Sequence, residues 1–248
     1  MLQGLLKKFG FQKIPNRLPG PQKFEEAYSL CKPFTMTSRE RMAALWNAME
    51  WLNTNRIDGA FVECGVWKGG SSMLAAENCR LHPQMSREFY LYDTFEGMSQ
   101  PNEIDTDFRG LSAESLMQNS IEKKANSNIW AVGPEELVRT NMKASGLTDE
   151  QTHLVRGLVE NTIQANSGPQ EIALLRLDTD WYQSTKHELI HLYHRVVPGG
   201  FLIIDDYGHW NGCRKAVDEF FSDHRPAPFF YKIDYTGIIM QRPFDHVK

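Results

Sequence analysis

Apolar residues along this chain fall into two alternating rhythms. Met42, Leu45, Met49 and Leu52 recur at helical spacing behind Thr37-x-x-Glu40, which has the form of a capping box. A helix is therefore expected from Thr37-Ser38 to about Asn53. A turn at 55–59 then leads into a strand beginning at Phe61. A helix after Ser71, stopped by Pro83, precedes a second strand over 88–93, EFYLYD. Helices over 112–124 and 135–145 come before a third strand at 153–157. Residues 171–178, EIALLRLD, carry the near-continuous apolar run of a buried parallel strand. Thr185-x-x-Glu188 reads as a second capping box, with Leu189, Leu192, Tyr193 and Val196 lining one face of its helix. Pro198-Gly199-Gly200 is expected to end that helix, and 201–204 to form the fifth strand. A helix over 212–222 and a hairpin of 229–234 and 237–241 close the pattern.

Strand and helix alternate without a repeat, a low-complexity tract or a second linker. One doubly wound α/β domain with an antiparallel hairpin at its end is expected. Residues 1–35 contain Pro15, Pro19, Pro21 and Pro33, too many for one long helix, and are read as an N-terminal arm ahead of a domain spanning 36–248. A net charge of −4 without a long basic run argues against nucleic acid as the main partner. No run of 18 apolar residues is present, so no membrane span is expected. The first residues lack the apolar core and cleavage site of a signal peptide. Cys31, Cys64, Cys79 and Cys213 form no C-x-x-C and read as isolated thiols in a reducing compartment, with the cytoplasm the expected location.

Chemistry concentrates where the strands end. In doubly wound sheets ligands sit beyond the carboxyl ends of the strands, and those ends here are Glu63, Asp93, Gly157, Asp178 and Asp205-Asp206. The first runs into a glycine-rich turn, FVECGVWKGGSS, whose Gly65, Gly69 and Ser71 sit where backbone can approach a ligand. The dinucleotide fingerprint G-x-G-x-x-G is absent, and a carboxylate ahead of the first glycine suits a cationic, hydroxyl-rich ligand such as S-adenosylmethionine (SAM). Asp93 is placed to accept the hydroxyls of a ribose. Asp178, Asp180, Asp205 and Asp206 end neighbouring strands whose tips lie about 5 Å apart. Carboxylates that close repel unless a cation sits among them, and an all-oxygen set suits Mg²⁺ better than zinc. His187, His191 and His194 share one helical face, which reads as solvated surface. His209 follows Asp205-Asp206-Tyr207 and is the candidate histidine near a site. No nucleophile elbow, P-loop or H-E-x-x-H occurs.

Four separated motifs, FVECGVWKGGSS, YDTFEGM, LRLDTDWYQST and VVPGGFLIIDDYGHWNGCRKAVDEF, resemble the macrocin O-methyltransferase family over about residues 35–242. The resemblance implies a seven-stranded Rossmann-like sheet, SAM as methyl donor, a divalent ion, usually Mg²⁺, and a sugar hydroxyl of a natural product as acceptor. By motif position Asp178, Asp205 and Asp206 would hold the metal, and Asp180 would be the general base with His209 as the next candidate. Glu63 and Asp93 would contact SAM, with Gly65, Gly69, Ser71 and Leu158 completing its site. A homodimer is expected from the family and from the poorly anchored arm. The alternatives are a non-catalytic SAM- or nucleotide-binding partner in a biosynthetic complex, and a nicotinamide oxidoreductase, disfavoured by the missing fingerprint.

Overall fold

The computed structural model describes residues 21–120, 129–164 and 167–244. The chain enters through α1 (Pro21–Cys31) and a 3-10 turn (Lys32–Phe34), then passes through α2 (Arg39–Thr54) into β1 (Ala60–Cys64). Next come α3 (Gly70–Arg80), β2 (Phe89–Asp93), α4 (Ala113–Asn119), α5 (Glu135–Ala144) and β3 (Thr152–Arg156). A short α6 (Val159–Thr162), β4 (Ile172–Leu177), α7 (Tyr182–Leu192) and β5 (Val196–Ile204) follow. The last elements are α8 (Asn211–Phe221), β6 (Tyr231–Lys232) and β7 (Ile238–Gln241).

The strands form a seven-stranded sheet in the order β3-β2-β1-β4-β5-β7-β6. Strands β1 to β5 pair in parallel, and β7 runs antiparallel to both β5 and β6. Every residue of β1 and β4 is buried, as their apolar runs require. Because side chains alternate across a strand, the sheet feeds two apolar layers. Phe61, Phe89, Leu174 and Ile203 pack with Met42, Leu45 and Met49 of α2. Val62, Leu175 and Leu202 pack on the other face with Leu189 of α7 and Val217 of α8. The order of connection reverses between β1 and β4, which sets the site at their carboxyl ends.

The departures from the sequence reading have local causes. Ser38, not Thr37, caps α2, its hydroxyl accepting from Arg41 N, while the Thr37 hydroxyl accepts from Arg176 Nη2 at 2.8 Å. Helix α7 begins three residues before Thr185, so Thr185 and Glu188 lie buried inside it instead of forming a capping box. Pro198-Gly199-Gly200 does not end a helix but lies within β5. There Ile172 pairs with Val196 and Leu174 with Phe201, leaving Ala173 opposite a bulge of four residues. A Cβ on Gly200 would stand 2.8 Å from the Ala173 carbonyl oxygen, so the bulge needs a glycine at that point. Part of the expected arm belongs to the body. Helix α1 buries Phe24, Ala27 and Cys31 in the α2 layer, and residues 1–20 lie outside the described residues. The helix expected over 112–124 is seen as α4, capped by Ser112; residues 121–124 are outside the described set.

Candidate active site

β1 hands over to the glycine turn at Gly65, whose φ is +83°. A Cβ there would lie 1.9 Å from the Asp178 carbonyl oxygen, so the ends of β1 and β4 meet too closely for any side chain. Asp93, at the end of β2, ties the turn down. Its Oδ2 accepts from Val66 N at 2.7 Å and Trp67 N at 2.9 Å, and its Oδ1 from Phe95 N at 2.7 Å. Burial raises the Asp93 carboxyl above its ordinary pKa, and these backbone donors oppose the rise. Beside it lies a cavity of about 120 Å³, lined by Gly65, Tyr92, Asp93, Leu158, Asp178 and Asp180 among others.

Asp178 and Asp180 follow β4 in a turn held from below. The Thr179 hydroxyl donates to the buried Glu188 carboxylate at 2.9 and 3.1 Å, and Trp181 N donates to Thr179 O at 2.8 Å. Asp180 itself takes φ +69°, a conformation tolerated where surrounding structure over-determines it. Asp205 and Asp206 follow β5 on the neighbouring strand. One oxygen each from Asp178, Asp205 and Asp206 lies within 4.8 Å of the others. Asp206 Oδ2 is buried and has no hydrogen-bond partner among the described residues. Burial, with the Asp178 charge adding, lifts the Asp180 carboxyl to about 7, and burial with the Asp180 charge pushes Asp206 well up.

Two arginines partly balance these acids, and the sequence reading missed both. The buried Arg176 reaches Glu63 Oε1 at 2.5 Å, Asp178 Oδ2 at 2.7 Å and Asp205 Oδ1 at 2.6 Å. Arg41 of α2 pairs with Asp205 Oδ2 and, at 3.0 Å, with Asp234 Oδ2 in the β6–β7 turn. The signal for Arg176 was present, since a lone charge in the middle of a buried strand requires a partner.

A second cavity, of about 470 Å³, opens on the other side of the acids. It is lined by Arg41, Ser71, Asp205, Asp206, His209 and Tyr235 among others, and shares Met36, Trp67, Asp178 and Asp180 with the first. The expected site residues thus divide. Gly65, Asp93 and Leu158 line the smaller cavity, Ser71, Asp205, Asp206 and His209 the larger, and Asp178 and Asp180 both. Glu63 and Gly69 line neither. The Glu63 carboxylate is buried against Arg176 and the Ser72 hydroxyl, and a Cβ on Gly69 would point at Met142 and Val138 of α5. His187 and His191 lie with their rings tilted and centroids 4.3 Å apart, and line neither cavity.

A doubly wound sheet ending in an antiparallel hairpin, with a glycine turn after β1 and an acid ending β2, is a Rossmann-like fold of the class that binds a nucleoside-containing cofactor at the carboxyl edge of its strands. The fold is shared with the calicheamicin methyltransferase CalS11 at a TM-score of 0.61 and 15% identity, covering 92% of this chain and 94% of that one. The family match is direct. Residues 27–242 match the macrocin-O-methyltransferase (TylF) family, so the chain belongs to that family and is a SAM-dependent O-methyltransferase. It is 34% identical over 205 residues to 8-demethyl-8-(2,3-dimethoxy-alpha-L-rhamnosyl)-tetracenomycin-C 4'-O-methyltransferase of Streptomyces olivaceus, covering 82% of this chain and 74% of the relative. It is 31% identical to demethyldecarbamoylnovobiocin O-methyltransferase of Streptomyces niveus, covering 84% and 75%. The structure of the O-methyltransferase NovP superposes with a TM-score of 0.71 at 30% identity, covering 85% of this chain and 82% of that one. Among the described residues, no helix is long and apolar enough to cross a membrane.

Proposed function

We propose that this enzyme methylates a sugar hydroxyl on a natural-product scaffold, with SAM in the smaller cavity and the acceptor in the larger. The observation that carries this reading is the junction of the two cavities at Asp178 and Asp180. Methyl transfer needs the donor carbon and the acceptor oxygen held in line at roughly 3 Å, and two cavities that share a wall of carboxylates suit that need. The Streptomyces olivaceus relative is named for a rhamnosyl acceptor, which supports a sugar here.

An alcohol is a poor nucleophile until its proton has somewhere to go. Asp180 faces both cavities, and its carboxyl near 7 suits a base working close to neutral pH. It would take the hydroxyl proton as the oxygen attacks the methyl carbon, while the sulfonium electrons return to sulfur. His209, with Nδ1 3.2 Å from Tyr235 Oη, is the next candidate. Asp93 would receive the ribose of SAM, and Glu63 would act through Arg176, which it holds against Asp178 and Asp205.

The acid cluster fits a hard divalent cation. Its donors are all oxygen and Asp206 Oδ2 is buried without a partner among the described residues, while Asp205, whose two oxygens pair with Arg176 and Arg41, would have to exchange an arginine for the ion. Asp178, Asp205 and Asp206 would hold such an ion, Mg²⁺ being the first choice; when bound it would lower the pKa of an acceptor hydroxyl. We also propose a homodimer, on the family resemblance alone, and a cytoplasmic location, supported by the unpaired thiols. Light scattering checks the former.

The decisive assay measures SAH release over a panel of glycosides with free vicinal hydroxyls. Activity should vanish in EDTA and return with Mg²⁺. Asp180→Asn should keep SAH and metal binding while turnover drops by about 10²–10⁴-fold. Full activity in EDTA would remove the metal from the reading, and normal turnover in Asp180→Asn would move the base to His209.

A further inference from the structure

Three aromatic rings meet at the outer edge of the larger cavity, each from a different segment. Phe108 lies between β2 and α4, His209 between β5 and α8, and Tyr235 between β6 and β7. Their centroids are 5.7 Å apart for Phe108 and His209, 6.3 Å for Phe108 and Tyr235, and 5.9 Å for His209 and Tyr235. His209 and Tyr235 line the cavity; Phe108 stands just outside it, between Asp107 and Arg109, which do line it.

The backbones that carry the rings are fastened to the acid-bearing strand end. Asp107 forms a bridge with Trp210, Gly208 N donates to Thr236 O at 2.8 Å, and the Thr236 hydroxyl donates to Asp205 O at 2.8 Å. Yet Phe108 is 56% exposed and Tyr235 60% exposed. Single exposed rings are ordinary. Rings from three segments, brought into contact at the mouth of one cavity, form a patch of the kind that marks a binding surface.

We infer that Phe108, His209 and Tyr235 form a platform for a flat, apolar part of the acceptor lying beyond the reacting sugar. The inference rests on the larger cavity being the acceptor site. Polarity changes along that cavity, from a carboxylate floor that suits hydroxyls to an aromatic rim with the Arg109 guanidinium 5.5 Å over the Phe108 ring. A volume of about 470 Å³ falls among sites for drug-sized ligands, so a sugar on the floor leaves room for a second ring system. An amphiphile with a hydroxylated end and a planar end matches both regions. The rings would select for the scaffold that carries the sugar, while the floor selects for the sugar.

The test is calorimetric titration of the enzyme, loaded with SAH and Mg²⁺, with 4-nitrophenyl α-L-rhamnoside and with methyl α-L-rhamnoside. The wild type should bind the nitrophenyl glycoside about 5–10-fold more tightly, the worth of a ring contact. Phe108→Ala and Tyr235→Ala should bring that ratio close to one, and Phe108→Trp should restore it. The SAH-induced thermal shift of each variant reports that it is folded. Equal binding of the two glycosides by the wild type, a preference that survives both alanine variants, or binding of neither overturns the platform. Wild-type methylation across the wider glycoside panel is read separately, so the platform can fail while the enzymatic reading stands.

Discussion

Replacing Arg176 by methionine would leave Glu63 buried beside Asp205 without the cation that now bridges them. Removing one partner of a buried ion pair costs about 3–5 kcal/mol, because the remaining charge has nowhere to go. Denaturant unfolding of Arg176→Met should show a loss of that size. Adding Glu63→Gln should recover part of it, since the two residues share one interaction and their effects do not add. Full additivity of the two changes would mean that Glu63 is held by Ser72 alone. Burial lifts the Glu63 carboxyl to about 7 against the pull of Arg176 and Ser72, which shows how strongly its charge depends on them.

At the level of elements, the turn between β1 and α3 does most to place the chemistry. It carries Gly65 across the Asp178 carbonyl and gives Val66 N and Trp67 N to Asp93, so three strand ends are linked through one segment. Gly65→Ala combines a left-handed φ with a Cβ 1.9 Å from backbone, and β1 or β4 must shift to admit it. The expected cost exceeds about 1 kcal/mol. SAH affinity should fall with it, because the shift displaces both Asp93 and Asp178. A Gly65→Ala protein with wild-type melting temperature and SAH affinity would show that the strand ends separate freely. Helix α7 supports the neighbouring turn in a similar way, through the Glu188 carboxylate beneath Thr179.

For the whole molecule, the cluster of buried acids sets how stability responds to pH. Asp180 and Glu63 are lifted to about 7 and Asp206 well above its ordinary value, burial being the largest cause for each. A carboxyl with a raised native pKa holds its proton in the folded chain after the unfolded chain has released it. Its contribution is therefore complete below about pH 4 and is lost as pH rises through about 7. In EDTA the melting temperature should fall between about pH 5 and pH 8. Mg²⁺ should flatten that fall, since a cation held by Asp178, Asp205 and Asp206 favours their charged forms. A melting temperature that stays level over this window in EDTA would show that these acids are ionised throughout.

The alternation of apolar runs with helical spacing was enough to read the doubly wound sheet, because burial of each element is a local property of its own residues. The acid-ended strands were legible for the same reason, since topology sends every parallel strand's carboxyl end to one edge. What Glu63 touches was not legible. The register of β1 against β4 sets it directly beside Arg176, over a hundred residues away, and only that pairing turns a candidate SAM contact into an ion-pair partner. Both capping boxes failed similarly: Thr37 is drawn to Arg176, and Thr185 and Glu188 lie inside α7, where Glu188 bonds Thr179. The division of the site into two cavities, and the meeting of Phe108, His209 and Tyr235, arise from loops that no periodicity governs. Their positions depend on long-range packing and hydrogen bonds between loops, which only the folded chain supplies.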